Sequence, residues 1–151
     1  MNVDSVMTRK VWSLPAGGTL NEALELMWQH DLGVVPVVDA EGKVVGMITD
    51  RDVAVASFLR CRLPSEILVS DTISGLVYSC REQDSVASAE EVMRDHQVRR
   101  LPVIDDTGRL IGIISVADLV RVVSSGLWSV GASALVRTLD AIAQPRATAS
   151  V

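Results

Sequence analysis

The chain has 151 residues, a formal net charge of −5 at pH 7, and a hydrophobic content of 48%. The acidic balance argues against a nucleic-acid or anionic membrane surface, because both need basic patches. No apolar run approaches the roughly 18 residues that a membrane span requires, and aromatic residues make up only 3% of the chain, so the core must be aliphatic.

The first residues lack the charged start and apolar stretch of a signal peptide, so a cytoplasmic protein is expected. Cys61 and Cys80 have no metal-ligand spacing. Two free thiols are the expected state in the cytosol, although the sequence leaves a bridge between them open.

The chain repeats itself without a gap when it is shifted by 66 positions (102 − 36), which places Pro36 on Pro102. Residues 32–39 then align with 98–105, and residues 46–52 align with 112–118. Such a repeat predicts two copies of one structural unit and paired sites related by a pseudo-two-fold axis. We place the first repeat at 1–62, the second at 63–124, and a tail at 125–151.

Each repeat is predicted to run strand, helix, strand, strand, helix. The first copy places these elements at residues 11–13, 19–30, 34–38, 43–49 and 50–60. The second copy places them at residues 77–79, 85–96, 100–104, 109–115 and 116–123. Thr19 and Glu22 have the spacing of a capping box, and the continuous apolar run at 34–38 is typical of a buried strand.

In the tail, residues 133–144 carry apolar side chains at helical spacing, which predicts a short amphipathic helix ending at Pro145. We expect this helix to cover exposed core or a dimer surface. Residues 146–151 are expected to fray.

A Leu/Val-Pro-Val-Val/Ile-Asp strand, an Asp-x-x-Gly turn and a Gly-hydrophobic-Ile-Thr/Ser-x-x-Asp segment occur twice in register. This combination resembles the cystathionine-β-synthase (CBS) domain, and two in tandem resemble the paired unit called a Bateman module. The chain also resembles small stand-alone bacterial CBS-pair proteins, such as the hypoxic response proteins.

The resemblance implies an α+β fold in which tandem βαββα repeats pack sheet to sheet with pseudo-two-fold symmetry. It also implies two clefts that bind adenine nucleotides, and a homodimer of stacked modules. In that family the clefts sense ligands and do not catalyse reactions.

The pairs Thr49/Asp52 and Ser115/Asp118 admit two interpretations. A hydroxyl followed three residues later by a carboxylate is a capping-box pattern, which stabilises a helix by about 0.5–2 kcal/mol. Within CBS-like repeats, the same carboxylate can accept both hydroxyls of a ribose, close to a helix N-terminus that suits anions. The two roles can coexist.

Arg99 and Arg100 precede the second buried strand and can hold a phosphate in the bidentate geometry that arginine favours. The resemblance implies that they reach across the pseudo-two-fold axis to a nucleotide held by Thr49 and Asp52. The alternative is two solvated surface arginines. The Asp118 cleft has only Arg51 opposite, so we expect it to bind more weakly or to stay empty.

The adenine base needs an apolar slot. Candidates are Thr8, Val11, Val35 and Pro36 in one cleft, and Ser74, Val77, Leu101 and Pro102 in the other. For the valines and Leu101, an ordinary place in the core is the competing interpretation.

His30 and His96 occupy equivalent positions at helix C-termini, where the helix dipole favours them without a metal. We find no metal spacing, no nucleophile–base arrangement and no Gly-rich phosphate loop. Together with the doubled hydroxyl–carboxylate motif and the two arginines, the resemblance implies a non-catalytic sensor of AMP, ADP or ATP that requires no cofactor. NAD and S-adenosylmethionine are lesser candidates, and magnesium can accompany the nucleotide. The sensor would act on a separate effector protein. The alternative is a dimerising interaction scaffold with empty clefts.

Overall fold

The computed structural model describes residues 1–128 and 131–145, so the predicted fraying of 146–151 lies outside the described residues. The chain forms two compact units. The N-terminal unit comprises Lys10–Val77 and Ile104–Leu110. The C-terminal unit comprises Met1–Arg9, Tyr78–Val103 and the chain from Ile111 onward.

The N-terminal unit contains one three-stranded sheet and two helices. Strand β1 lies parallel to β2, and β2 lies antiparallel to β3. Its core includes Leu20, Val35 and Ile48, which are fully buried. The elements are β1 (Leu14–Pro15), α1 (Leu20–His30), β2 (Val34–Val38), β3 (Val44–Thr49) and α2 (Asp50–Arg60).

The C-terminal unit contains a second sheet of strand order β4-β5-β6. Its core includes Met93, Leu101 and Leu119, all fully buried. The elements are β4 (Cys80–Arg81), α3 (Val86–Asp95), β5 (Arg100–Ile104), β6 (Leu110–Ser115), α4 (Val116–Ser124) and α5 (Gly131–Ala143). The predicted α+β class and the order strand, helix, strand, strand, helix are thereby confirmed in both copies.

The first strand of each copy lies later than we predicted. We expected residues 11–13, but β1 is Leu14–Pro15, where Leu14 pairs with Val37. We expected residues 77–79, but β4 is Cys80–Arg81. Residues 11–13 and 77–79 belong to no strand. Instead, each segment supplies one aromatic side chain, Trp12 or Tyr78, that packs at the C-terminal end of a helix.

The packing is an aromatic–histidine stack that occurs in both copies. Trp12 stacks on His30 with ring centroids 3.8 Å apart, and Tyr78 stacks on His96 at 3.7 Å. His30 is the last residue of α1 and His96 is the C-cap of α3. The helix-end interpretation of the histidines is confirmed, and the stacks give them a second structural role that the sequence analysis missed.

The segments that precede β1 and β4, residues 3–9 and 69–75, are here called the leading segments. Met7 of the first leading segment packs on Gly112 of β6, and Ile73 of the second packs on Gly46 of β3. Thr8 also exchanges two backbone hydrogen bonds of 2.9 Å with Ile113. Each leading segment therefore packs on the returning strand of the other repeat, which explains why Met1–Arg9 belong to the C-terminal unit.

Both contacts require glycine. A Cβ added at Gly46 would lie 2.7 Å from Ile73 Cδ1, and one added at Gly112 would lie 2.6 Å from Met7 Sδ. These distances are well inside van der Waals contact. Gly46 and its counterpart Gly112 are thus the places where a leading segment packs directly on the strand.

The predicted helix of the tail is present as α5 and packs on α3 and α4. Leu135 enters the core of the C-terminal unit, Thr138 donates a hydrogen bond to Glu90, and Gln97 Nε2 donates to the Ala141 carbonyl at 2.8 Å. Of the two roles we considered for this helix, covering the core is confirmed.

The two cysteines are not bridged to each other: Cys61 is exposed and Cys80 is buried. Across residues 1–128 and 131–145, the structure contains no helix with the length and apolar character needed to cross a membrane.

Candidate functional site

Thr49 and Asp52 lie where β3 ends and α2 begins. The Thr49 N–H and hydroxyl both donate to Asp52 Oδ2, at 2.9 and 2.7 Å, and Thr49 Oγ1 accepts from the Asp52 N–H at 3.1 Å. This is a complete capping box, and it places a carboxylate where the helix dipole favours negative charge. The capping interpretation of this pair is confirmed.

Ser115 and Asp118 repeat the arrangement between β6 and α4. The Ser115 N–H and hydroxyl donate to Asp118 Oδ2 at 2.8 and 2.6 Å, and Ser115 Oγ accepts from the Asp118 N–H at 3.3 Å. Both copies therefore use one carboxylate oxygen to hold the start of a helix, and each keeps a second oxygen for other partners.

The second oxygen distinguishes the two copies. Asp52 Oδ1 has no hydrogen-bond partner among the residues that the structure describes. Asp118 Oδ1 accepts a charge-assisted hydrogen bond from Arg121 Nη1. Our sequence analysis missed Arg121, although an Asp and an Arg three residues apart on a helix are neighbours on its surface.

The three candidate phosphate-binding arginines, Arg51, Arg99 and Arg100, are exposed. Within the described part of the chain, none of their guanidinium groups has an ion-pair or hydrogen-bond partner. The Arg99 carbonyl accepts from the Val116 N–H at 3.0 Å, so the Arg99 backbone lies beside the first turn of α4. The association of Arg99 and Arg100 with Asp52 stays a prediction.

The candidate base-slot residues are divided between the two units. Val35 and Leu101 lie in the centres of the two cores, which agrees with the competing core interpretation. Their assignment to a base slot stays a prediction, as does that of the other candidates. The N-terminal unit holds Val11, Val35, Pro36, Ser74 and Val77, and the C-terminal unit holds Thr8, Leu101 and Pro102.

Asp118 lines a cavity of about 300 Å³ in the C-terminal unit. The first leading segment forms one wall and α4 forms the other. The cavity therefore offers a ligand a carboxylate, a guanidinium and an apolar surface in one place. Its lining residues are Ser5, Val6, Asp118, Arg121, Val122, Ser125 and Leu127.

Chemically reactive side chains are few in the described residues. No group of three His, Cys, Asp or Glu side chains with the geometry to hold a metal ion occurs among them. Burial, assisted by the Asp84 carboxylate, raises the pKa of the Cys80 thiol to about 12. A thiol with that pKa is not a nucleophile at neutral pH, because the thiolate is the reactive form.

Comparison with curated proteins identifies similar chains of similar length. The CBS domain family matches residues 3–58 and 69–125. The CBS domain-containing protein YhcV of Bacillus subtilis is 36% identical over 118 residues, which cover 78% of this chain and 82% of YhcV. Hypoxic response protein 1 of Mycobacterium tuberculosis is 32% identical over 132 residues, 87% of each chain.

Solved structures with the same fold include three with bound groups. Hypoxic response protein I, with two coordinated zinc ions, is 30% identical, with a TM-score of 0.74 over 80% of this chain and 98% of its own. CBSX2 in complex with AMP is 25% identical, with a TM-score of 0.73 over 83% of this chain and 98% of its own.

A CBS domain pair in complex with 5′-methylthioadenosine and S-adenosyl-L-methionine reaches a TM-score of 0.74 at 22% identity, over 83% of this chain and 98% of its own. That identity supports the fold alone. Two family matches in tandem, relatives above 30% identity and the shared fold lead to one conclusion: this chain belongs to the CBS domain family, as a tandem pair.

Proposed function

We propose that the chain is a non-catalytic regulatory module that binds adenine nucleotides of the AMP, ADP and ATP class. The observation that carries the proposal is the free Oδ1 of Asp52, held by its capping box at the start of α2 in a tandem CBS pair. NAD and S-adenosylmethionine are lesser candidates, and magnesium can accompany a polyphosphate. The cytoplasm is the expected compartment.

The chemistry of Asp52 suits a sugar. A carboxylate oxygen has two lone pairs, so a free Oδ1 can accept hydrogen bonds from both ribose hydroxyls while Oδ2 keeps the helix cap intact. The capping bonds fix the side chain before the ligand arrives, which lowers the entropic cost of binding. Thr49 contributes by holding Asp52 in this orientation.

The exposed guanidiniums suit the other end of the nucleotide. Arg99 and Arg100 are adjacent, and their positive charge is not neutralised by any described residue. They are assigned to the phosphates of the nucleotide whose ribose binds Asp52, and Arg51 is assigned to the site of Ser115 and Asp118. The complex of CBSX2 with AMP supports this ligand class.

Thermal unfolding tests the proposal. A nucleotide at about 100 times its dissociation constant adds about 2.7 kcal/mol to the free energy of unfolding, which for a chain of this size raises Tm by roughly 5–10 °C. The expected result is such a shift with at least one of AMP, ADP, ATP, NAD or S-adenosylmethionine. An unchanged Tm with all five at millimolar concentration, with and without magnesium, would contradict the proposal.

Matched variants assign the site. Asp52→Asn keeps a capping side chain but removes the charge that accepts ribose hydroxyls, so it should abolish most of the shift. Asp118→Asn makes the same change in the second copy and should reduce the Tm shift less. An equal loss of the Tm shift in the two variants would contradict the expectation that the Asp52 site binds more tightly than the Asp118 site.

A second candidate function is a dimerising scaffold whose clefts stay empty. The observation that favours it is an apolar face on α2, where Phe58 and Leu59 are 79% and 72% exposed. An effector would then be a separate protein bound through helices. Unchanged affinity for such a protein after Asp52→Ala and Arg100→Ala together would favour the scaffold over the nucleotide sensor.

A further inference from the structure

The two helix-start carboxylates are equivalent in sequence and in capping geometry, yet they have different charges beside them. Arg121 follows Asp118 by three residues, and its counterpart after Asp52 is Val55 (121 − 66). The Asp118 side chain is only 8% exposed, whereas that of Arg121 is 73% exposed. A buried carboxylate is thus covered on its solvent side by a guanidinium of the same helix.

We infer that Arg121 is a specificity-determining residue that closes the Asp118 site to sugar hydroxyls. The inference rests on the proposed function, because it concerns which of the two sites accepts a ribose. Asp118 Oδ1 has two lone pairs, and Arg121 already occupies one of them. To bind both hydroxyls of a ribose, one neutral hydroxyl would have to replace this charge-assisted hydrogen bond, and such bonds are about twice as strong as neutral ones. Asp118 Oδ1 is therefore a poor ribose acceptor as long as Arg121 is present.

A cavity beside Asp118 leads to the ion pair. Asp118 and Arg121 both line the space of about 300 Å³ between the first leading segment and α4. A ligand entering there meets an ion pair, whereas a ligand at Asp52 meets a free carboxylate oxygen. The partner of Oδ1 therefore distinguishes the sites, and one substitution should reverse that difference.

The repeat supplies the substitution. Arg121→Val gives the second copy the residue that the first copy has, and Val55→Arg gives the first copy the residue of the second. Asp52→Asn provides a background in which only the Asp118 site remains. AMP is the probe, and isothermal titration calorimetry measures its stoichiometry and affinity.

The expected result is that Arg121→Val in the Asp52→Asn background raises the affinity for AMP by about tenfold or more, the scale of one hydrogen bond to a charged group. Asp118→Asn added to that variant should remove the gain. In the otherwise unchanged chain, Val55→Arg should weaken AMP binding by a comparable factor. Val55→Arg keeps the test valid if Arg121→Val does not fold, because it adds an arginine at an exposed position.

Other outcomes separate the two claims. If the unchanged chain binds AMP and neither Arg121→Val nor Val55→Arg alters the affinity, the inference is overturned and the proposed function stands. If AMP binds neither the unchanged chain nor any variant, the nucleotide function is overturned for AMP, and the role of Arg121 with it.

Discussion

Burial decides the chemistry of the two cysteines. Cys80 begins β4 inside the core of the C-terminal unit, and the pKa of its thiol is raised to about 12. Cys61 is the exposed residue that follows α2.

We expect a thiol reagent such as 5,5′-dithiobis(2-nitrobenzoic acid) to label Cys61 in the folded protein at slightly alkaline pH and to label Cys80 only after unfolding. Absorbance of the released thiolate measures both steps. Cys61→Ser is the control, since it should remove the fast step alone. Rapid labelling of that variant in buffer would contradict the buried position of Cys80.

At the residue scale, spacing predicted the capping boxes because the contacts are local: each involves one hydroxyl and one carboxylate three positions apart. The ion pair of Arg121 is equally local, and its spacing is visible in the sequence. The aromatic–histidine stacks were not predictable in this way, because they join residues such as Trp12 and His30 whose proximity depends on how the chain returns.

Among the elements, β3 and β6 are contacted by the leading segments at Gly46 and Gly112. The neighbour of Gly46 is Ile73, whose β-branched side chain is stiff, and two of its atoms would lie within 2.9 Å of an added Cβ. The neighbour of Gly112 is Met7, whose thioether is flexible.

Gly46→Ala should therefore lower the free energy of unfolding by about 1–3 kcal/mol, the usual cost of overpacking, and Gly112→Ala should cost less. Urea unfolding of both variants measures the difference. Gly17→Ala is the control, because nothing lies within 4 Å of a Cβ added there. A larger loss for Gly112→Ala than for Gly46→Ala would contradict the packing described.

The contact between α3 and α5 contains a buried carboxyl group. Glu90 is 2% exposed and accepts a hydrogen bond from Thr138 of α5, and Arg94 Nη1 lies 3.7 Å from Glu90 Oε2. Burial is the main cause that raises the pKa of Glu90 above 4.5. The charges around it act in both directions: Arg94 and Arg137 lower its pKa, and Glu91 and Asp95 raise it.

Because the pKa of Glu90 is higher in the folded protein, Glu90 contributes stability that is fully present below its ordinary pKa of 4.5. This stability is lost as the pH rises through the pKa of the folded protein. Glu90→Gln should therefore be more stable than the unchanged chain at neutral pH, and the advantage should shrink toward acid pH. Urea unfolding over a pH series measures it. A constant difference at all pH values would contradict the prediction. Glu91→Gln, on the same helix and exposed, is the control.

Helices and long strands were predictable to within a few residues because each carries its own periodicity or cap. The first strands were misplaced by three residues in both copies. Two paired residues, as in Leu14–Pro15, leave no periodic pattern, and the neighbouring Val11 and Trp12 have higher strand propensity.

The whole molecule presents an apolar face that a second copy can cover. Phe58 and Leu59 are neighbours on α2, and they are 79% and 72% exposed. If this face mediates the proposed homodimer, the molecular mass in solution should be twice the 16.2 kDa of one chain.

Phe58→Asp should reduce that mass to one chain, because it places a charge in an apolar interface. Light scattering coupled to size-exclusion chromatography measures the mass. Trp28→Asp is the matched control, since Trp28 is an equally exposed aromatic residue on α1. A dimer that survives Phe58→Asp and dissociates with Trp28→Asp would place the interface elsewhere.

The duplication was predictable from sequence, since it needs only the alignment of one half with the other. The exchange of leading segments was not, because Met7 and Gly112 are far apart in the chain and no local pattern links them. The candidate site was predictable only in part for the same reason: the caps are local, whereas the partners of Arg99 and Arg100 depend on the path of the chain.

The exchanged leading segments determine when each unit can complete its packing during synthesis. The ribosome makes Met7 more than one hundred residues before the strand that receives it, around Gly112 (112 − 7). Ile73 and residues Ile104–Leu110, which complete the N-terminal unit, are likewise made only after α1 and α2 of that unit. The first leading segment must therefore remain without its partner until β6 has emerged, which is after α1, α2 and α3 and before α4 and α5.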